Sequence, residues 1–290
     1  MDGLSEAVAA AAGAAVVRTA VVRGGDVAQA FRYDLDDGRR VFAKTHPHPP
    51  AGFFTTEAAG LRWLREPGSV RVPAVLAVSD GSADAPPHLV LEWIEVGAPV
   101  GRTEADLGRA LAALHQATPT TFGREDRRTT GSRGLPNDPC ATWAEFYATQ
   151  RMQPLARLAH DAGALSPEAL IGLARLGDPA HLAQVGAADE PPARLHGDLW
   201  AGNRLVDAHG ESWLIDPAAH GGHREFDLAM MRLFGGFGEA CFAAYAEAHP
   251  LTDGWADRVP LHQVAPLVVH AIKFGGHYVD AAAQAIRRSA

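Results

Sequence analysis

Asp198, Asn203 and Asp216 are the residues in this chain whose types and spacing could do chemistry. They lie in His196-Gly197-Asp198-Leu199-Trp200-Ala201-Gly202-Asn203 and in Trp213-Leu214-Ile215-Asp216. Phosphoryl transfer asks a protein mainly to set a base beside the attacking hydroxyl and to hold Mg²⁺ against nucleotide phosphates. Asp198 suits the base. Asn203 offers a neutral oxygen and Asp216 an anionic one, the kind of set a hard cation prefers. The chemistry expected is that of a kinase-type phosphotransferase. Each residue alone reads better as a turn or loop-start residue, and only the joint pattern points to catalysis.

Two upstream residues complete such a site. Lys44 ends the apolar run Val41-Phe42-Ala43, and Glu57 follows on the next helix, where it can hold the lysine toward phosphate. Gly24-Gly25-Asp26 falls between the first two strands. It reads either as a phosphate-covering turn, in which glycine lets backbone N–H groups approach, or as a plain hairpin turn. Glu92, Trp93 and Ile94 end the N-terminal region and offer backbone groups that could meet an adenine edge. No Gly-x-x-x-x-Gly-Lys-Ser/Thr run occurs, which disfavours a P-loop fold. Histidine pairs such as His220 and His223 lack the spacing or cysteine partners of a zinc site.

The elements that must position these residues follow from local pattern. Val16 to Val22, Gln29 to Leu35 and Arg40 to Lys44 read as strands separated by turn sequences. Thr55 or Thr56 is expected to cap a helix running to Arg65, and Val75 to Val78 and His88 to Ile94 supply two more strands. Beyond Gly97 the periodicity is helical: Glu104 to Gln116, then Trp143 to about His160 with a kink at Pro154. Further helices start at Ser166-Pro167, Glu225, Gly238 and about Val259. Asn203 to Val206 and Ser212 to Ile215 should pair across a turn at Ala208-His209-Gly210, bringing Asn203 and Asp216 to one end. The fold class expected is α+β and bilobal, like a protein kinase. A small antiparallel-sheet lobe spans residues 1–92, a hinge 93–97, and a larger, mainly helical lobe 98–290.

A chain of 290 residues can bury a core of that size. Its net charge of −8 argues against a nucleic-acid partner, which needs clustered cations. No apolar run is long enough to span a membrane, and the N-terminal stretch lacks the basic start of a signal peptide. Cys140 and Cys241 form no disulfide framework and read as buried thiols, so a cytoplasmic location is expected.

The motifs together resemble the fructosamine kinase family, within the aminoglycoside-phosphotransferase-like superfamily. The resemblance is most specific in His196 to Asn203, Trp213 to Ala218, His223 to Met230 and Leu233 to Phe237. It implies ATP- and Mg²⁺-dependent phosphorylation of the sugar 3-hydroxyl of ketoamines, whose product then falls apart and frees the amine, a protein-repair chemistry. It also implies Asp198 as base, Asn203 and Asp216 as Mg²⁺ ligands, and Lys44 with Glu57 at the phosphates. Glu92 to Ile94 would lie at adenine, Trp200 would pack on the sugar, and Asp227 would tie down the catalytic loop. The segment Ala218 to Arg224 is expected to line the acceptor cleft with His220, His223 and Arg224, and with Gly221 and Gly222 leaving room. The acceptor would be a small ketoamine or a glycated lysine. The alternatives are a kinase of the same fold acting on another small alcohol, such as an aminoglycoside or sugar, and a catalytically inactive nucleotide-binding scaffold.

Overall fold

Five short strands in the N-terminal region build one antiparallel sheet. Its strands are β1 (Val16–Val22), β2 (Gln29–Leu35), β3 (Arg40–Thr45), β4 (Val75–Ser79) and β5 (His88–Glu92), in the order β1-β2-β3-β5-β4. The structure, a computed structural model, describes residues 3–23, 28–82, 85–126, 129–130, 134–187 and 189–290. Side chains of a strand point alternately to opposite faces. Val41 and Ala43 of β3 therefore join Leu4 and Val8 of α1 (Gly3–Ala12) in one cluster. Phe42 and Lys44 turn the other way, toward α2 (Phe53–Arg65), whose Phe54, Ala58, Leu61 and Leu64 are buried. This alternation is what aims Lys44 at Glu57.

α2 starts earlier than its threonines suggest. Its N-cap is Gly52 in the left-handed region at φ 74°, and Thr55 instead donates to the Gly52 carbonyl. A glycine supplies that conformation without a Cβ clash. α1 was not foreseen from the alanine-rich start.

After β5 the chain runs without helix or strand to α3 (Thr103–Gln116). A short pair, β6 (Thr129–Thr130) with β7 (Leu135–Pro136), precedes α4 (Trp143–Tyr147) and α5 (Gln153–Asp161). Between α4 and α5, residues Ala148–Met152 form a π-turn. Pro154 lacks an N–H and its ring clashes with the carbonyl four residues back, so the wider turn just before it is where the kink resolves. Ser166 caps α6 (Pro167–Leu176), its Oγ accepting from the Ala169 N–H at 3.3 Å.

Next come α7 (Pro179–Val185), β8 (Ala193–Leu195), β9 (Arg204–Val206), β10 (Ser212–Leu214) and β11 (His220–Gly222), followed by α8 (Glu225–Phe234) and α9 (Glu239–Ala248). The chain closes with α10 (Trp255–Phe274) and α11 (His277–Ser289). α7 and α11 were missed, and α10 begins at Trp255 rather than near Val259. The architecture is α+β, a five-stranded antiparallel sheet beside a larger helical part. No helix among the described residues is long and apolar enough to cross a membrane.

Candidate active site

The catalytic loop leaves β8 at Leu195 and is fixed through its backbone. Asp227, fully buried in the first turn of α8, accepts the N–H of His196 at 2.7 Å and of Gly197 at 2.9 Å. His115 of α3 donates to the same carboxylate at 3.3 Å, and its other ring nitrogen accepts the Tyr245 hydroxyl at 2.8 Å. Burial works against a charge on Asp227, and these donors outweigh it, holding its carboxyl below the usual range. Gly197 sits at φ 81°, and a Cβ there would collide with the Ala218 carbonyl, so glycine is required twice over. His196, also buried, donates from Nε2 to the Ile215 carbonyl at 2.9 Å and accepts the Asp198 N–H at 3.3 Å. Burial depresses its pKa, so the ring is a neutral clamp between the Asp198 and Asp216 loops.

The expected hairpin forms. β9 and β10 pair with Leu205 opposite Trp213, and the Ile215 N–H closes on the Asn203 carbonyl at 3.0 Å. Asn203 donates its amide to the Asp198 carbonyl at 2.8 Å and to Oδ2 at 3.0 Å. Both partners are acceptors, which fixes the amide orientation and turns its oxygen away from Asp198. Burial of Asp198 raises its pKa to about 6; the Asn203 bond pulls it down, and the Asp216 and Asp227 charges push it up again.

Asp216 itself adopts a left-handed φ of 54°, a conformation that aspartate tolerates better than most residues. Its Oδ1 meets Lys44 Nζ at 2.5 Å, and the same ammonium lies 2.7 Å from Glu57 Oε1. Burial opposes the Lys44 charge, and the two carboxylates overcome it and raise its pKa. Burial raises Glu57 to about 7. Asp216, with its side chain 46 % exposed, feels the same opposition from burial, but the ammonium beside it keeps it ionised.

These residues form one connected chain: Asp198 to Asn203, Asn203 across to the Ile215-Asp216 strand end, Asp216 to Lys44, Lys44 to Glu57. Asp216 offers a carboxylate, and Asn203 an amide oxygen left over by its own hydrogen bonds. An all-oxygen donor set of this kind fits Mg²⁺ and does not fit a metal that prefers nitrogen or sulfur.

Glu92 ends β5, and Trp93 and Ile94 follow it. The Glu92 carboxylate accepts from the Ala74 N–H at 3.0 Å, Ile94 is buried, and the Trp93 indole donates to Glu95 at 3.2 Å. The phosphate-turn reading of Gly24 and Gly25 lies outside the described residues. Trp200 is 40 % exposed, rests edge-on against Phe234 with ring centres 6.1 Å apart, and covers Gly202.

Three acceptor-side expectations are corrected. His220 is buried between Phe146 and Phe226, and its Nδ1 donates to the Ala218 carbonyl at 2.8 Å. His223 is buried against Trp143 and His262, its Nε2 3.3 Å from the Ala187 carbonyl. Arg224 is buried and holds Glu190 at 2.6 and 2.7 Å and the carbonyls of His249 and Pro250. His220 and His223 line no cleft found among the described residues, and Arg224, which borders a cavity of about 260 Å³ with His115, Glu190 and His249, has its donors taken up by Glu190 and two carbonyls. Gly221 and Gly222 leave no room either. A Cβ on Gly221 would strike the Thr121 carbonyl and one on Gly222 the Leu195 side chain, so both glycines serve close packing.

A pH dependence of stability follows. Burial lowers His220 from its ordinary value near 6.5 to about 3. The folded value lies below the unfolded one, so this stability is complete above pH 6.5 and is lost as pH falls from there toward 3. Between pH 7 and pH 5 the linkage amounts to about 2 kcal/mol. In His220→Phe, denaturant unfolding at the two pH values should show a decline smaller by about that amount, whatever the variant's absolute stability. An unchanged slope would mean that His220 is protonated in the folded protein.

With the geometry in place, the comparisons with known proteins are informative. The sequence profile of the family described as "Fructosamine kinase" matches residues 3–290. The chain belongs to the fructosamine kinase family. It is 36% identical over 257 residues, 89% of this chain and 90% of the relative, to a protein of Enterococcus faecium named a probable ketoamine kinase. It is 32% identical over 269 residues to the chloroplastic protein-ribulosamine 3-kinase of Arabidopsis thaliana, covering 92% of this chain and 81% of that one. A crystal structure from Thermobifida fusca, described as that of a candidate fructosamine-3-kinase, superposes with a TM-score of 0.88 at 37% identity. That match covers 98% of this chain and 97% of the other. The kinase-like α+β architecture expected from the motifs is therefore the one present.

In this fructosamine kinase family member, sequence reasoning missed the support of the loop anchor: His115 and Tyr245 lie 112 and 130 residues from Asp227 and His115 respectively. It also missed that His223 packs with Glu225 and His262. Arg258 occupies both Glu225 oxygens, at 2.9 and 2.5 Å, which makes that cluster an internal ion-pair network. The available signal was the polar run His223-Arg224-Glu225 leading into the mainly apolar α8.

Proposed function

We propose that this family member is an ATP- and Mg²⁺-dependent kinase that phosphorylates the sugar 3-hydroxyl of small ketoamines and so reverses glycation. The observation that carries this reading is the unbroken contact path from Asp198 through Asn203 and Asp216 to Lys44 and Glu57. Asp198 accepts the proton of the acceptor hydroxyl as it attacks. Its carboxyl, held near 6, is ionised at neutral pH yet basic enough to take a proton. Lys44 holds nucleotide phosphate, and Glu57 keeps its ammonium in place. Asp216 and Asn203 would hold Mg²⁺, whose charge would supply neutralisation at the phosphates. Adenine rests on the backbone of Glu92 to Ile94, and Gly24 and Gly25 cover the phosphates. Residues 1–92 form the nucleotide lobe, 93–97 the hinge and 98–290 the acceptor lobe. That division is supported by the end of β5 at Glu92 and the start of α3 at Thr103. Cys140 and Cys241 are free and buried, in keeping with a reducing, cytoplasmic setting.

ATP consumption measured with ribose-, erythrose- and glucose-derived ketoamines, and with kanamycin, tests the assignment. Turnover dependent on a ketoamine is expected. Preference for kanamycin would favour an aminoglycoside kinase, and no acceptor-dependent turnover a scaffold.

Of the four residues expected to meet the acceptor, Trp200 is the exposed one, and its indole face suits a neutral polyol. Trp200→Ala should raise the ketoamine KM about tenfold, as loss of a packed aromatic contact of ~1.4 kcal/mol would. The ATP KM should stay within about twofold. An unchanged acceptor KM would remove the indole from the sugar site.

A further inference from the structure

Lys273 lies in the last turn of α10, and none of the phosphate-handling groups uses it. A run of rings nevertheless leads to it from the acceptor side. Trp200 meets Phe234 at 6.1 Å, Phe234 meets His270 at 5.1 Å, and His270 meets Phe274 at 5.5 Å. Lys273 Nζ stands 4.7 Å from the centre of the Phe274 ring. The two ends of this wall, Trp200 and Phe274, are 40 % and 51 % exposed, and Lys273 is exposed beside Phe274.

The electrostatics agree with the geometry. The charge of Lys273 reaches Asp198, so the ammonium stands within electrostatic range of the space about the base. Asp198, Asp216 and Glu57 otherwise make that space acidic. A cation on its outer wall gains nothing from neutral sugar hydroxyls, and the nucleotide phosphates already have Lys44. It does suit an anion carried by the other half of the acceptor, the part that bears the amine. A protonated ketoamine nitrogen can lie against the rings between, since aromatic faces attract cations.

We propose that Lys273 is a specificity-determining residue that binds a carboxylate on the amine side of the acceptor. The Trp200–Phe234–Phe274 wall would carry the chain between that carboxylate and the sugar. Resting on the ketoamine kinase reading above, this makes glycated free amino acids the preferred acceptors over glycated lysines inside a polypeptide, which have no carboxylate there.

The test compares Nα-acetyl-Nε-ribulosyl-lysine, which has a free carboxylate, with its carboxamide. In the wild-type protein kcat/KM should favour the carboxylate about fivefold, the scale of a partly exposed charge-assisted contact. Lys273→Gln should bring the carboxylate substrate down to the level of the amide, and Lys273→Glu should invert the preference. The ATP KM should not follow these changes. Equal use of acid and amide by the wild-type protein would overturn the proposal while leaving the ketoamine kinase reading standing, as would an equal loss on both substrates in Lys273→Gln. No turnover of either substrate, nor of any other ketoamine, would overturn both.

Discussion

Asp198→Asn is expected to retain the fold and nucleotide binding while losing turnover by on the order of 10²–10⁴. The substitution keeps the shape of the side chain. Its amide oxygen can still accept from Asn203, which donates to Oδ2 and to the backbone carbonyl, and the Asp227 bonds that hold the loop do not involve the side chain. What is removed is the basic carboxylate. An amide cannot take the proton from an attacking hydroxyl, so the loss should fall on kcat, with the ATP KM little changed. Steady-state kinetics with a ketoamine acceptor, together with ATP titration of the variant, measure both halves. Turnover within a few-fold of wild type would remove Asp198 from the role of base.

The second large effect concerns the metal. Asp216→Ala should weaken Mg²⁺-dependent ATP binding on the order of a hundredfold, through loss of an anionic ligand. Asn203→Ala should weaken it about tenfold, because an amide oxygen balances the charge of a dication only in part. Asp216→Ala also leaves Lys44 with Glu57 alone as its carboxylate partner at 2.7 Å. ATP affinity measured without Mg²⁺ therefore separates the metal contribution from the lysine contribution. The Asp216 backbone is left-handed, so Asp216→Asn serves as the control, since asparagine accepts that conformation more readily than alanine. Affinities that are equal for both variants and independent of Mg²⁺ would take Asp216 out of the metal site.

The parts of this site that were legible in the sequence are those fixed by short-range rules. A strand alternates its side chains, so Val41-Phe42-Ala43-Lys44 puts Lys44 on the face opposite Val41 and Ala43. A turn between two short apolar runs makes a hairpin, so Asn203 and Asp216 had to share an end. Ser166-Pro167 starts a helix because a hydroxyl caps the free N–H groups that proline does not add to. Five residues spread from Lys44 to Asp216 could thus be assigned to one chemistry before any contact was known.

The acceptor side was not legible, for an equally physical reason. His220, His223 and Arg224 are polar residues in a loop-like, glycine-containing stretch, and locally they look solvent-facing. Their environment is set by groups distant in sequence: Phe146 and Phe226 about His220, Trp143 and His262 about His223, Glu190 and the Pro250 carbonyl about Arg224. Burial of a polar group is stable only once such partners are present, and the tertiary fold alone brings them together. The same holds for Lys273, whose link to Trp200 through Phe234, His270 and Phe274 depends on α8 and α10 packing their rings together. The sequence by itself determined the family, the order of the elements around the His196 to Asn203 loop and the set of residues proposed to handle phosphate, because hydrogen-bond periodicity and spacing act over a few residues. Only the tertiary structure decided which polar side chains face the acceptor and which are core, because that depends on the solvent each side chain loses when distant segments close over it.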